Sequence, residues 1–150
     1  MIGHVNDLAV LVEDETGKRV AFMRYADFGV NALNNGIVVR NSFLIAKSDL
    51  VRRFMRASTR SAEAARANPG EAVAALMAAN PKTGKAETLR AGLEATLPLF
   101  RSPNVIGMRP FRVLAGDMAA TVNLLVDHAG LDQSARIRVN EFFTNGFLPP

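Results

Sequence analysis

The stretch Arg24-Tyr-Ala-Asp-Phe-Gly-Val-Asn-Ala-Leu-Asn-Asn-Gly-Ile-Val-Val-Arg-Asn-Ser-Phe43 sets a polar, glycine-punctuated loop between two apolar runs. Arg19 to Arg24 alternates weakly through Val20, Phe22 and Met23 and reads as a strand after the turn Thr16-Gly17-Lys18. Gly36 to Arg40 reads as a second strand, because Ile37, Val38 and Val39 form a branched run that a sheet interior accepts. Ala26 to Asn35, between them, is polar enough to be an exposed binding edge. Tyr25, Asp27 and Asn31 are its candidate ligand-binding residues: tyrosine offers a flat face with a polar tip, and a carboxylate accepts from a ring amine. The same residue types also build Asx turns without a ligand. Asn34-Asn35-Gly36 reads most simply as a turn, since Asn and Gly tolerate positive φ.

N-terminal to this stretch, Asn6 can cap a helix with Asp7 in its first turn, Val5, Leu8, Leu11 and Val12 on one side, and Gly17 just past its end. Leu8 to Val12 also fits a short buried strand, and periodicity alone does not separate the two. On the C-terminal side the pattern turns helical. Ser48 or Asp49 caps a helix whose narrow face is Leu50, Phe54, Ala57, Ser58, Ala62 and Ala65, with Arg52, Arg53, Arg56 and Arg60 opposite as a solvated stripe.

Asn68-Pro69-Gly70-Glu71 is the sharpest helix start, with a cap, a proline at the first position and a capping-box glutamate. Its alanine-rich helix stops near Asn80-Pro81, and a third helix fits Ala86 to Leu97. Pro110 opens a fourth, carried by Phe111, Leu114, Met118, Val122, Leu125 and Ala129 and stopped by Gly130. The aromatic tail Glu141 to Leu148 is expected to dock on the body. Two strands followed by four or more helices predict a layered α/β fold whose sheet needs more strands than these two.

The 150 residues, 49% hydrophobic, form one core's worth of chain. The lack of cysteine excludes disulfides, thiolate nucleophiles and sulfur-ligated zinc. A net charge of +4 with 18 scattered basic residues, one Tyr and no Trp argues against a nucleic-acid partner. No apolar run approaches the ~20 residues that span a bilayer, so membrane insertion is not expected. His4 and His128 have no neighbours at metal-ligand spacing, and no nucleophile elbow or phosphate loop occurs. A binding role is therefore expected rather than an enzyme, with neither metal nor cofactor.

Several segments together carry a family resemblance: Val5-Asn6-Asp7, the Arg24 to Gly36 loop, Asn68-Pro69, Met108-Arg109-Pro110-Phe111, and Phe143-Thr144-Asn145-Gly146-Phe147-Leu148. In that order and spacing, across nearly all of the chain, they resemble the C-terminal half of NMT1/THI5-like (SsuA/THI5-like) substrate-binding proteins of ABC transporters. The resemblance implies a partial type II periplasmic-binding-protein fold. Residues 1–150 would be a single partial, truncated domain: the later part of lobe 2, the return crossover and the C-terminal helices.

It also implies capture by cleft closure of a small polar organic solute, such as a thiamine-pyrimidine precursor or a sulfonate, and an ABC transporter permease as partner in an intact receptor. Asn6 and Asp7 would face that cleft, where helix N-terminal amides suit a polar or anionic group. The location implied is periplasmic, or cytoplasmic if the chain is expressed as written, since no signal peptide opens it. The alternatives are a THI5-type enzyme making the thiamine pyrimidine and a truncated orphan product that pairs as a homo-oligomer through exposed strand edges. Two departures stand out: Asn31-Ala32-Leu33-Asn34 is less aromatic than the tyrosine-bearing loop of the thiamine-pyrimidine branch, and Phe111 stands where Trp is common.

Overall fold

A computed structural model describes residues 4–33, 35–105 and 107–150. Among them are six α-helices: α1 (Leu8–Thr16), α2 (Asn41–Ala46), α3 (Ser48–Ala67), α4 (Pro69–Ala79), α5 (Ala86–Thr96) and α6 (Ala115–His128). Short 3-10 turns fill out the rest, at Tyr25–Phe28, Leu97–Phe100, Pro103–Val105, Gln133–Ile137 and Val139–Glu141. No described residue lies in a strand.

The expected α/β fold, and with it the partial type II periplasmic-binding-protein fold, is therefore corrected to an all-helical one. The physical reason is pairing. An extended segment satisfies its N–H and C=O groups only against a neighbour. Residues 19–24 and 36–40 have none in a sheet: they run as irregular chain up to the 3-10 turn at Tyr25 and to α2 at Asn41, with the Val20 N–H taken by the Glu13 carboxylate at 2.8 Å and Val38 94% exposed. The branched run Ile37-Val38-Val39 satisfies the residue preferences of a strand but not its pairing.

The chain divides into two compact units. The first comprises Met1–Met23 and Arg60–Phe100. In it α5 packs on α4 and α1, with Ala9, Ala62 and Val73 buried. α4 begins as the sequence anticipates: the Asn68 side chain accepts from the Glu71 N–H at 3.2 Å, its amide donates to the Glu71 carboxylate at 3.1 Å, and Pro69 opens the helix. α1 ends at Gly17, whose φ of 65° is open to glycine and costly for most residues. The helical reading of Leu8 to Val12 thus holds over the strand reading. Lys85 joins the start of α5 to Asp14 of α1 at 2.9 Å.

The second unit comprises Arg24–Thr59 and Arg101–Pro150. Its core gathers Val51, Met55, Thr59, Val105, Thr121, Val122 and Ala135. The buried face of α3 here is Val51, Met55 and Thr59, rotated from the expected one; Leu50 is 50% and Phe54 55% exposed. α6 begins at Ala115, five residues after Pro110, because Phe111 takes a positive φ of 71° and Leu114 is extended. The chain there is held by the tail instead. The Asn145 amide donates to the Val113 carbonyl at 2.7 Å and its oxygen accepts from the Val113 N–H at 3.1 Å, imitating a strand partner for one residue.

Arg112 donates to the Pro149 carbonyl at 3.1 Å, and Arg52 lies 4.7 Å from the Phe147 ring centre while donating to the Gly146 carbonyl. The tail docks, as expected; Arg52, expected in solvent, is one of the groups holding it. Nearby, Asp132 is held below its usual range by hydrogen bonds from the Ser134 side chain and backbone, and Glu141 by the Arg138 hydrogen bond, both on the open surface.

Two substitutions test this packing. Asn145→Ala leaves both Val113 backbone groups unpaired and is expected to destabilise by about 1–3 kcal/mol in urea unfolding. Thr59 is fully buried and its hydroxyl has no partner, so Thr59→Val is expected to be neutral or to stabilise by about 1 kcal/mol.

Candidate ligand-binding site

Tyr25–Phe28 forms a single 3-10 turn between Arg24, which is extended, and Gly29, whose φ of 81° closes it. The Gly29 N–H reaches the carbonyls of Ala26 and Tyr25, and the Val30 N–H donates to the Tyr25 carbonyl at 3.1 Å. A 3-10 turn has three residues per turn, so positions three apart eclipse. Tyr25 and Phe28 therefore share one face, and both stand in solvent, 67% and 69% exposed.

Beside this aromatic face, Asp27 is gripped by Arg24 through a two-pronged contact, Nη2 to Oδ1 at 3.0 Å and Nε to Oδ2 at 3.2 Å. The fork adds little stability at such exposure, but it fixes where the carboxylate points. Each Asp27 oxygen keeps acceptor capacity for a second donor.

The loop's far end is tied down. The Leu33 N–H donates to the Thr121 hydroxyl of α6 at 2.8 Å, and that hydroxyl donates to the Asp117 carbonyl at 2.9 Å. Ser102 and Asn104 donate to the Asp117 carboxylate, securing the first turn of α6. Asn31 lies exposed within this tethered loop. The turn expected at Asn34-Asn35-Gly36 falls partly on Asn34, outside the described residues.

Of the five candidates, Tyr25, Asp27 and Asn31 lie in one unit and Asn6 and Asp7 in the other. Asn6 is not the cap of α1; Asp7 occupies that position without a side-chain cap bond. The Asn6 amide instead donates to the Thr96 hydroxyl at 2.8 Å, and Thr96 donates to the Gly92 carbonyl. A Cβ on Gly92 would lie 2.9 Å from the Asn6 carbonyl oxygen, so this glycine is needed for close approach. These contacts give Asn6 a structural task. Phe28 and Thr121 were not among the residues singled out from sequence. Phe28 could have been found from its three-residue spacing to Tyr25, whereas Thr121 becomes visible only once α6 is in place.

The same unit carries an apolar groove of about 280 Å³ lined by Ile37, Val39, Phe43, Leu50, Val51 and Phe54. It continues through Val39 and Phe43 into a wider, open concavity that also includes Val38, Arg40 and Ser42.

Residues 1–72 match the family model described as NMT1/THI5 like, and this places the segment in the NMT1/THI5-like family, in agreement with the sequence resemblance. The matched segment contains the Tyr25–Phe28 turn, α2 and α3. The Met108 to Phe111 and Phe143 to Leu148 motifs lie beyond it. No curated protein and no solved structure matches the chain. Among the described residues, no helix is long and apolar enough to cross a membrane.

The tether is tested by Thr121→Val, which removes the acceptor of the Leu33 N–H. Faster amide exchange at Leu33 and a loss of about 1–2 kcal/mol are expected, with Thr121→Ser close to wild type.

Proposed function

We propose that this chain is a non-catalytic solute-binding protein, and that its ligand is a flat, amine-bearing ring of the aminopyrimidine kind held at the Tyr25–Phe28 turn. The observation that carries the reading is the coincidence of an exposed aromatic pair and an oriented carboxylate inside the segment matched by the NMT1/THI5-like family. The rings offer a stacking face, and Asp27 offers an acceptor for the amine. Asn31 adds an amide able to donate or accept. An aliphatic sulfonate is served less well by this constellation, since the cation present, Arg24, is engaged by Asp27.

The strength follows from the parts. One stacked ring contributes about 1–3 kcal/mol, and a hydrogen bond to a carboxylate about 1.5–3 kcal/mol. Against these contributions stands the cost of association, so an open platform without enclosing walls is expected to bind weakly, with a dissociation constant of about 1 mM or above. Delivery to a transporter permease belongs to the same proposal.

A thermal-shift panel at about 10 mM aminopyrimidine, alkylsulfonate or nitrate tests it. The expected result is a saturable rise in Tm with aminopyrimidine that is lost in Tyr25→Ala and in Asp27→Asn, with the ligand recovered unchanged. Stabilisation by none of the three, or chemical conversion of the aminopyrimidine, would overturn the reading.

A further inference from the structure

We propose that the groove between residues 37–43 and the first half of α3 is a docking site for an acidic amphipathic helix of a partner protein. Each of the six side chains lining its narrow part is apolar, and Phe43, Leu50 and Phe54 stay about half exposed. Val38 and Ile45 on the flanking segment are more exposed still. Large apolar side chains gathered this closely on a surface mark an interaction site more often than an accident of packing. Among the described residues nothing covers it fully: residues 36–40 lie outside any helix or strand, and Leu50 and Phe54 of α3 are about half exposed.

The charges around the groove select the occupant. Arg40 lies in the concavity that the groove opens into, Arg53 stands one turn from Leu50 on α3, Arg56 follows Arg53 by three residues, and Lys47 sits at the break between α2 and α3. All four are exposed, and none is held by an ion pair among the described residues. Asp49 is the one acid on the first half of α3, and it too is in no ion pair among the described residues. A basic rim around an apolar slot complements a ligand with apolar anchors flanked by carboxylates.

A second copy fits poorly. The chain carries a net charge of +4, and a two-fold contact through this face would bring two basic rims together. A helix presenting anchors at i, i+3 or i+4 and i+7 matches a slot walled on one side by extended chain and on the other by a helix. This inference is independent of the solute reading: it uses no residue of the Tyr25–Phe28 turn.

The test uses two synthetic helical peptides with the same Leu and Phe anchors, one flanked by Glu and the other by Lys, titrated by fluorescence anisotropy. Saturable binding of the Glu peptide at least about tenfold tighter than the Lys peptide is expected, weakening as salt rises. Arg40→Glu combined with Arg53→Glu should abolish that preference, and Phe54→Ser should weaken both peptides, with circular dichroism confirming that each variant keeps its helices. Equal affinity for the two peptides, or no saturable binding of the Glu peptide, would overturn the proposal. So would Phe54-dependent dimers in sedimentation, which assign the groove to a second copy, or Phe54-dependent binding to phosphatidylserine vesicles, which assign it to a membrane.

Discussion

Backbone hydrogen bonding decides this structure. A helix closes its N–H and C=O groups within one segment, whereas an extended run needs a neighbour. Where the chain can close its own ladder it does so, in α1 through α6. Where its residues favour an extended backbone, at 19–24 and 36–40, no strand partner meets it among the described residues: the Val20 N–H turns instead to the Glu13 carboxylate, and most of both segments is exposed. One exception shows the constraint at work on a single residue: the Asn145 amide supplies Val113 with the donor and acceptor that a strand would have supplied.

This explains which parts of the fold were legible in the sequence. Helix ends were readable because their signals are local. Asn68, Pro69 and Glu71 act within four consecutive positions, and Gly17 and Gly130 take the left-handed conformations their places demand. The two expected strands fail because a branched run such as Ile37-Val38-Val39 reports only half of the requirement and says nothing of a pairing partner. The face of α3 differs for a related reason: Val51, Met55 and Thr59 are the buried positions, and packing rather than apolar count selects them, whereas counting apolar residues favours Leu50 and Phe54. The start of α6 lies beyond Pro110 although proline suits a first helical position, because Phe111 takes a positive φ and the tail bonds the Val113 backbone.

The site shows the same division. Tyr25, Asp27 and Asn31 were identifiable from residue type, and they fall together on one loop. Phe28 joins them through the three-residue repeat of a 3-10 turn, a repeat that a loop assignment conceals. Asn6 has the residue type of a ligand contact, yet its amide is spent on Thr96 and its carbonyl crowds Gly92. The family match over residues 1–72 spans both the aromatic turn and the groove, so two surfaces of different chemistry lie in the segment that carries the family signature. One offers a polar acceptor beside flat rings, and the other an apolar slot with a cationic rim.

Both surfaces depend on residues 36–40 staying extended and unpaired, since pairing would bury the groove wall and convert the loop into the connection of a hairpin. Site-resolved amide exchange of the isolated chain measures this directly. The account requires the Ile37, Val38 and Val39 amides to exchange nearly as fast as in an unstructured peptide while the core amides of α3 stay protected. Protection at Ile37 to Val39 comparable to that of Val51 and Met55 would mean that a strand partner exists and would contradict it.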